Sequence, residues 1–349
     1  MIKSLLAILA VLLIVASVMP LVRKDAWWIR MFDFPRAQIL ILELLVLVAG
    51  LVVWDMRDPL QLSIAVMLVL ALGYQSSTIF PFTPMATKQV LASSGRVADS
   101  TFSLLIANVL MSNREAARLR KIICDADPDV ILLLEPDDWW EARMRGLESA
   151  YQHALKKPLS TRHGMLLYSR FPLLNSQFKF LVEDAIPSIH TQIQLPSGTR
   201  FWLHGLHPDP PSPTESDKST ERDVELLIVA EIVRDRDEPT IVAGDLNDVA
   251  WSHTTTLFQK VSGLLDPRRG RGLFNTFHAK HVLVRWPLDH VFHSDHFTLV
   301  EMKRMPAFGS DHFPVYVKLD LQPEAQSDQE EPELDSEDEE HVETKMNRI

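Results

Sequence analysis

Three long apolar runs open this chain and constrain it more than any other feature: roughly Leu5 to Val22, Ala37 to Trp54 and Leu60 to Tyr74. Each approaches the twenty or so residues with which a helix crosses a bilayer. A helix satisfies its own backbone groups in lipid, so runs of this kind have few alternatives. A cleaved leader is disfavoured for the first run, which is long, lacks a clear small-x-small cleavage site and is followed by two more. Helices packed in a soluble core would carry a polar face, and these stretches do not. The third run is short unless it extends toward Phe80. Residues 1–80 therefore read as an anchor of three transmembrane helices whose partner is a lipid bilayer. Arg23, Lys24, Arg30 and Arg36 fill the first loop, against Lys3 before it and Arg57 in the second loop. The positive-inside rule then puts the first loop, and with three spans everything after the third, on the cytoplasmic side of a bacterial-type plasma membrane.

The formal charge of −11 would discourage a polyanionic substrate if it were spread evenly. It is not. From Pro323 to Ile349 eleven acidic residues face only Lys345 and Arg348, a balance of −9 that leaves about −2 for the rest. Residues 322–349 read as an acidic, disordered tail, and residues 81–100, without sustained periodicity, as a linker. Cys124 is the single cysteine, so an intrachain disulfide and a cysteine-rich zinc site are both excluded. Its apolar neighbours Ile122 and Ile123 suggest a buried small hydrophobe.

Between the linker and the tail the pattern changes to short apolar runs. Strands are expected at Phe102 to Ala107, Val130 to Leu134, Gly164 to Tyr168, His190 to Leu195, Arg200 to Leu206, Thr240 to Ala243, Leu288 to Phe292 and Pro314 to Leu319. Helices are expected from about Arg114 to Asp125 and from about Thr220 to Arg234. Many short strands with few intervening helices point to an α/β sandwich over residues 101–321, not to a doubly wound parallel sheet.

Polar residues recur where these buried strands end. Asn108 closes LLIAN, Glu135 follows five aliphatics in VILLLE, and His207 ends FWLHGLH. Asp245 and Asn247 lie in GDLN, Asp289 in PLDHVF, and Asp311 and His312 in GSDHFPV. A carboxylate such as Glu135 needs a cation or a metal if it is buried. Blander readings stand beside each. Asn108 closes a turn in one, and Glu135 pairs with Arg170 or Lys121. Alternation turns His204 and His207 to opposite faces, which favours His207, at the strand end, as the functional one. His290, His293 and His296, close after Asp289, suggest a metal cluster but read better as ordinary strand and loop histidines, and Asp248 either shapes a pocket with Trp251 and Ser252 or is a solvated loop carboxylate, the preferred reading. Trp251 stacks on a base or fills the core. The run Arg268-Arg269-Gly270-Arg271 is either a phosphate contact or an exposed loop.

Taken together and in order, LLIAN, the strand-terminal Glu135, GMLLYSRFP, GDLN, PLDHVF and SDH resemble the endonuclease/exonuclease/phosphatase superfamily from Thr101 to about Leu321. That resemblance implies a DNase I-like α/β sandwich of two mixed sheets flanked by helices. It implies Mg²⁺, with Mn²⁺ as a substitute, held by Glu135 with Asn108 beside it and Asp311 as a further ligand. Asp245 and Asn247 would orient the nucleophile and the phosphate, and His207 would be a general acid. His312, its ring fixed by Asp289, would stabilise charge or act as a base. The reaction is hydrolysis of a phosphodiester, with nucleic acid as the first substrate reading. The alternatives are a lipid or inositol phosphate phosphoesterase and an inactive, membrane-tethered binding module. The intact polar set argues against the last.

Overall fold

The computed structural model describes residues 1–349 apart from 94, 96, 97, 214, 215 and 349; the first three fall in the expected linker and the last in the expected tail. Helices α1 (Ile2–Val18), α3 (Arg36–Val53) and α4 (Pro59–Ile79) pack side by side, and a short helix α2 (Trp27–Arg30) lies in the first loop. Asp58 caps α4 by accepting the Leu60 N–H, with Pro59 in the first turn, where its missing N–H costs nothing. The third apolar stretch runs on to Phe82, 24 residues in all, so all three are long and apolar enough to cross a membrane. Their few polar groups meet inside the bundle. Ser17 donates to Glu43 at 2.6 Å, and Gln75 donates to Ser17 at 2.9 Å, the interhelical hydrogen bonding expected where water is absent.

The sandwich follows. Strands β1 (Thr101–Asn108) and β2 (Val130–Leu134) are parallel and central in a six-stranded sheet. The edges are β3 (His153–Lys157) beyond β4 (Met165–Ser169) on one side, and β10 (Phe297–Arg304) beyond β11 (Val315–Leu321) on the other. The five-stranded second sheet runs in chain order: β5 (Leu173–Lys179), β6 (Ser188–Gln194), β7 (Arg200–Leu206), β8 (Thr240–Asp245) and β9 (Asp289–His293). Its single parallel pair is β7 with β8. Period-two alternation builds the layers. Leu104, Ile106, Leu132 and Leu134 face Leu203, Ile241 and Ala243 between the sheets. Leu105, Ala107, Ile131 and Leu133 face outward, under α5 (Ala116–Ala126) and α6 (Asp138–Met144). On the far side Leu206, Val242 and Phe292 are covered by α7 (Thr220–Arg236) and α8 (His253–Ser262).

Three expectations change here. The 81–100 segment is not a free linker, because Val90 is fully buried in the inter-sheet core and Leu91 and Ser93 exchange backbone hydrogen bonds with Leu299 at 2.9 and 2.8 Å. The tail is not disordered either. Helix α9 (Ser336–Met346) starts with a capping box between Asp335 and Asp338 and buries Val342 against the α7–α8 layer. Lys345, itself buried, pairs with Asp223 of α7 and with Asp25 of the first loop, and Lys260 pairs with Asp335. Apolar positions spaced along an acidic helix outweigh its solvation. Finally, Cys124 is exposed on α5, since its neighbours Ile122 and Ile123 take the buried face.

The first loop is also built into the sandwich. Trp27 N–H donates to Asp217 at 3.0 Å, Ser219 N–H to Asp25 at 2.8 Å, and Trp251 Nε1 to the Asp33 carbonyl at 2.7 Å. Phe34 and Ala37 pack with Phe82, Trp251 and Trp286.

Candidate active site

Each sheet ends its parallel pair at the same edge of the sandwich, which is where the polar strand-end residues converge. Glu135 directly follows β2 in a left-handed conformation (φ 62°) and donates its N–H to the Gly164 carbonyl at 3.0 Å. A Cβ on Gly164 would lie 1.9 Å from the Pro136 carbonyl oxygen, so only glycine permits this pass. Gly244 does the same in GDLN: at φ 150°, its absent Cβ would meet the Leu206 carbonyl oxygen at 1.9 Å.

Asn108 bridges the two sheets, donating from Nδ2 to Glu135 at 2.9 Å and to Asp245 at 3.0 Å. Its Oδ1 accepts the Leu110 N–H at 3.0 Å. The side chain thus orients the two carboxylates while its oxygen is taken up by a backbone N–H. Lys121 pairs with Asp125, and Arg170 with Asp127, so the salt-bridge reading of Glu135 falls. Asn247, also left-handed (φ 51°), gives its N–H to Asp245 at 3.1 Å and its amide Nδ2 to the Pro208 carbonyl at 2.9 Å. The same amide nitrogen carries a second N–H for a phosphoryl oxygen.

His312 joins Asp289 and Asp245. Its Nδ1 donates to Asp289 at 2.8 Å, and its Nε2 faces Asp245 at 3.4 Å. Burial pushes the ring down, but Asp289 and Asp245 outweigh it and raise it to about 10, so His312 is an imidazolium at neutral pH. At His207 burial wins and pushes the ring down to about 4, although Asp245 lies 3.8 Å and Glu135 3.9 Å from Nε2. A neutral His207 has no acidic proton to give at neutral pH, which weighs against the general-acid role expected of it. Burial raises the carboxyls of Glu135 and Asp245 as well.

Asp245, Asp289 and His312 have donor atoms within 4.8 Å of one another, the spacing of a metal cluster. An imidazolium between two carboxylates has no lone pair to offer, however, so the trio is already ion-paired. A cleft of about 380 Å³ opens over Glu135, Asp245, Asn247, Asp311 and His312. Asn108, His207 and Asp289 are buried and not among the residues that line it.

Sequence reading passed over several residues of this lining, among them Arg162, His163, Asp209, Phe277 and Phe34. His163 pairs with Asp209 at 3.0 Å and its ring lies 5.9 Å from that of His207. Arg162 and His163 immediately precede Gly164, the partner of Glu135, which was the available signal. Phe34 carried none, because it belongs to the loop between the first two long apolar helices.

The other candidates prove structural. Arg268 is fully buried, donating to Asp266 at 2.7 Å and bonded to His290 at 2.7 Å, and Arg271 donates to the Val90 carbonyl at 2.6 Å. That basic run is therefore neither an exposed loop nor a phosphate contact. Asp248 is buried against Arg222 at 3.3 Å, not solvated, and Trp251 fills the core beside Phe82. His204 pairs with His190 at 2.6 Å on the opposite face from Leu203.

Fold and site together define a class: hydrolases that place acidic residues, an asparagine and a histidine at the rim of a two-sheet α/β sandwich to cleave phosphoesters. Residues 105–312 match the model of the Endonuclease/Exonuclease/phosphatase family, and the chain belongs to that family. No curated protein matches it by sequence. Among solved structures it is similar to an endonuclease/exonuclease/phosphatase from Beutenbergia cavernae, at 18% identity and TM-score 0.53 over 64% of this chain and 72% of that one. It is equally similar to D. rerio TDP2 complexed with single-strand DNA product, at 18% identity and TM-score 0.53 over 64% and 100% of the two chains. The human nocturnin catalytic domain with bound sulfate follows, at 17% identity and TM-score 0.52 over 68% and 97%. At such identities these likenesses establish the DNase I-like fold.

Proposed function

We propose that this chain is a metal-dependent phosphodiesterase held at a bilayer surface by its three apolar helices, with Mg²⁺ as its ion and Mn²⁺ as a substitute. The observation that carries the reading is the His312 ring, pinned by Asp289 and facing Asp245 beside Glu135. The donor set suits a hard cation. Glu135, Asp245, Asp289 and Asp311 gather four carboxylates around one imidazolium, Asp289 Oδ1 is buried without a partner, and cysteine is absent from the cleft lining. Glu135 and Asp311 would hold the ion, which when bound would neutralise charge developing on the phosphate.

The chain's own residues supply the rest. Asp245, fixed by Asn108 and the Asn247 N–H, aligns a water and accepts its proton. The second N–H of Asn247 donates to a non-bridging phosphoryl oxygen, and His312, held protonated by Asp289 until then, gives its Nε2 proton to the leaving oxygen. Nucleic acid is the first substrate reading, supported by the TDP2 relative with its single-strand DNA product. A lipid phosphoester is the second, favoured by Phe34, which brings the anchor into the cleft, and by the burial of the basic run. The positive first loop packs on the sandwich, which supports a cytoplasmic site.

The test is a panel of DNA, RNA, soluble diesters and phospholipids offered to the full chain in detergent, with Mg²⁺ and with chelator. Chelator-sensitive turnover is expected. No turnover on any member would favour the inactive binding module.

A further inference from the structure

A loop joins the candidate active site to the point where a membrane helix begins. Residues 278–285 hang between Phe277 and Trp286, which pair with each other through their backbones. At the base, Phe277 lines the cleft and lies 5.0 Å from the His312 ring, and two residues on, the Ala279 N–H donates to the Asp311 carbonyl at 2.6 Å. Trp286 meets Phe34 edge-on at 5.6 Å. At the tip, the Leu283 carbonyl accepts from Gln38 at 3.1 Å, and Gln38 sits in the first turn of α3. Val282 is 74% exposed, Leu283 84%, and Val284 41%. Contiguous aliphatics standing in water mark an interaction surface, since isolated ones are common but runs are not. This run touches the first turn of α3 through Gln38 and is preceded by the exposed Lys280, which suits an anionic headgroup layer, while Arg285 turns back onto Phe313 and the Ala279 carbonyl.

We propose that residues 278–285 rest in the headgroup region of the bilayer that the chain's own helices cross, and that the cleft thereby receives phosphoesters presented by lipid headgroups. This rests on the bilayer reading above and deepens its second substrate. Val282 and Leu283 would seat at the boundary of headgroup and acyl chain. Phe277, fixed to the same loop, would then set the height of the cleft relative to the layer of phosphates.

The full chain, with Cys124→Ser and Leu283→Cys carrying an environment-sensitive fluorophore, is reconstituted in vesicles of phosphatidylcholine and phosphatidylglycerol. Blue-shifted emission, quenched by nitroxide on shallow acyl positions, is expected. A label that stays water-like and unquenched in protein that floats with the vesicles overturns the inference and leaves the anchor standing. Protein that does not float overturns both. In parallel, Val282→Ser with Leu283→Ser should reduce hydrolysis of a phospholipid severalfold and leave turnover of soluble bis(p-nitrophenyl) phosphate intact. Equal rates on the phospholipid with and without the substitutions also overturn it. Absence of metal-dependent turnover on either substrate counts against the phosphodiesterase reading, while the quenching result stands independently.

Discussion

His312 shows how a single side chain depends on its neighbours for its chemistry. Removing it should cost about 10² to 10⁴ in rate, the usual worth of a positioned acid or base. Asp289→Asn should cost less and draw the alkaline limb of the pH profile toward lower pH, because the imidazolium loses an anionic partner and its raised pKa falls. The double variant should be hardly slower than His312→Ala, since the two act as one unit; multiplied losses in the steady-state rates would separate them. Glu135→Gln should keep the melting temperature and lose most activity, with partial recovery as Mg²⁺ is raised; an unchanged Mg²⁺ dependence would remove Glu135 from the ligand set. The positions of Asn108, Glu135, His207 and Asp245 were legible because a polar residue after a buried strand has to be doing something. Their protonation was not. His207 and His312 look alike in sequence, and only the placement of Asp289 beside one of them sets the neutral ring apart from the charged one.

Helices α7 and α9 carry consequences of their own. Glu225 on α7 is buried and pushed up to about 8, by desolvation first and then by Glu183 and Asp209. A carboxyl raised in the fold above its ordinary 4.5 adds stability that is complete at low pH and drains away as pH climbs toward about 8. Glu225→Gln should therefore flatten the stability profile over that window and raise the melting temperature most at alkaline pH, by the equivalent of about 2–4 kcal/mol. A parallel shift at all pH values would contradict this. Lys345 on α9 pairs in a buried setting with Asp223, which Arg222 also holds at 2.8 Å. Lys345→Ala should accordingly cost about 1–3 kcal/mol in denaturant unfolding, less than the loss of an undivided buried pair. Helix α9 escaped sequence reading because eleven acids mask a sparse apolar pattern, Leu334, Val342 and Met346, although the capping box at Asp335 and Asp338 was there to be seen. Strands β3, β5 and β10 escaped for a different reason: all three lie at sheet edges, where half-exposed side chains blur the alternation. Strand β2, buried throughout, is by contrast written as an unbroken aliphatic run.

For the molecule as a whole, the boundary between anchor and sandwich that composition suggests does not exist in space. Val90 is in the core, Phe34, Ile79 and Phe82 pack with Trp251, and Asp25 is tied to Ser219, Thr220, Lys345 and Arg348. Residues 101–321 expressed alone should be insoluble or molten, while a chain that retains residues 22–35, 81–100 and 323–348 on the sandwich recovers a cooperative melt. A well-folded, active 101–321 fragment would show these contacts to be dispensable. Such long-range docking leaves no periodic trace in a sequence, which is why the division into anchor, linker, domain and tail was legible as composition and not as architecture. Phe34 draws the last consequence. On the proposed bilayer placement, a residue between two spans that also lines the cleft would fix the height and tilt of that cleft above the lipid, leaving the protein free to spin about the membrane normal and drift sideways. Encounter with a substrate in the same leaflet would then become a search in two dimensions. Its pace would follow the mole fraction of substrate among the surrounding lipids, so diluting the leaflet with inert lipid should slow turnover even when the amount of substrate in the tube is unchanged.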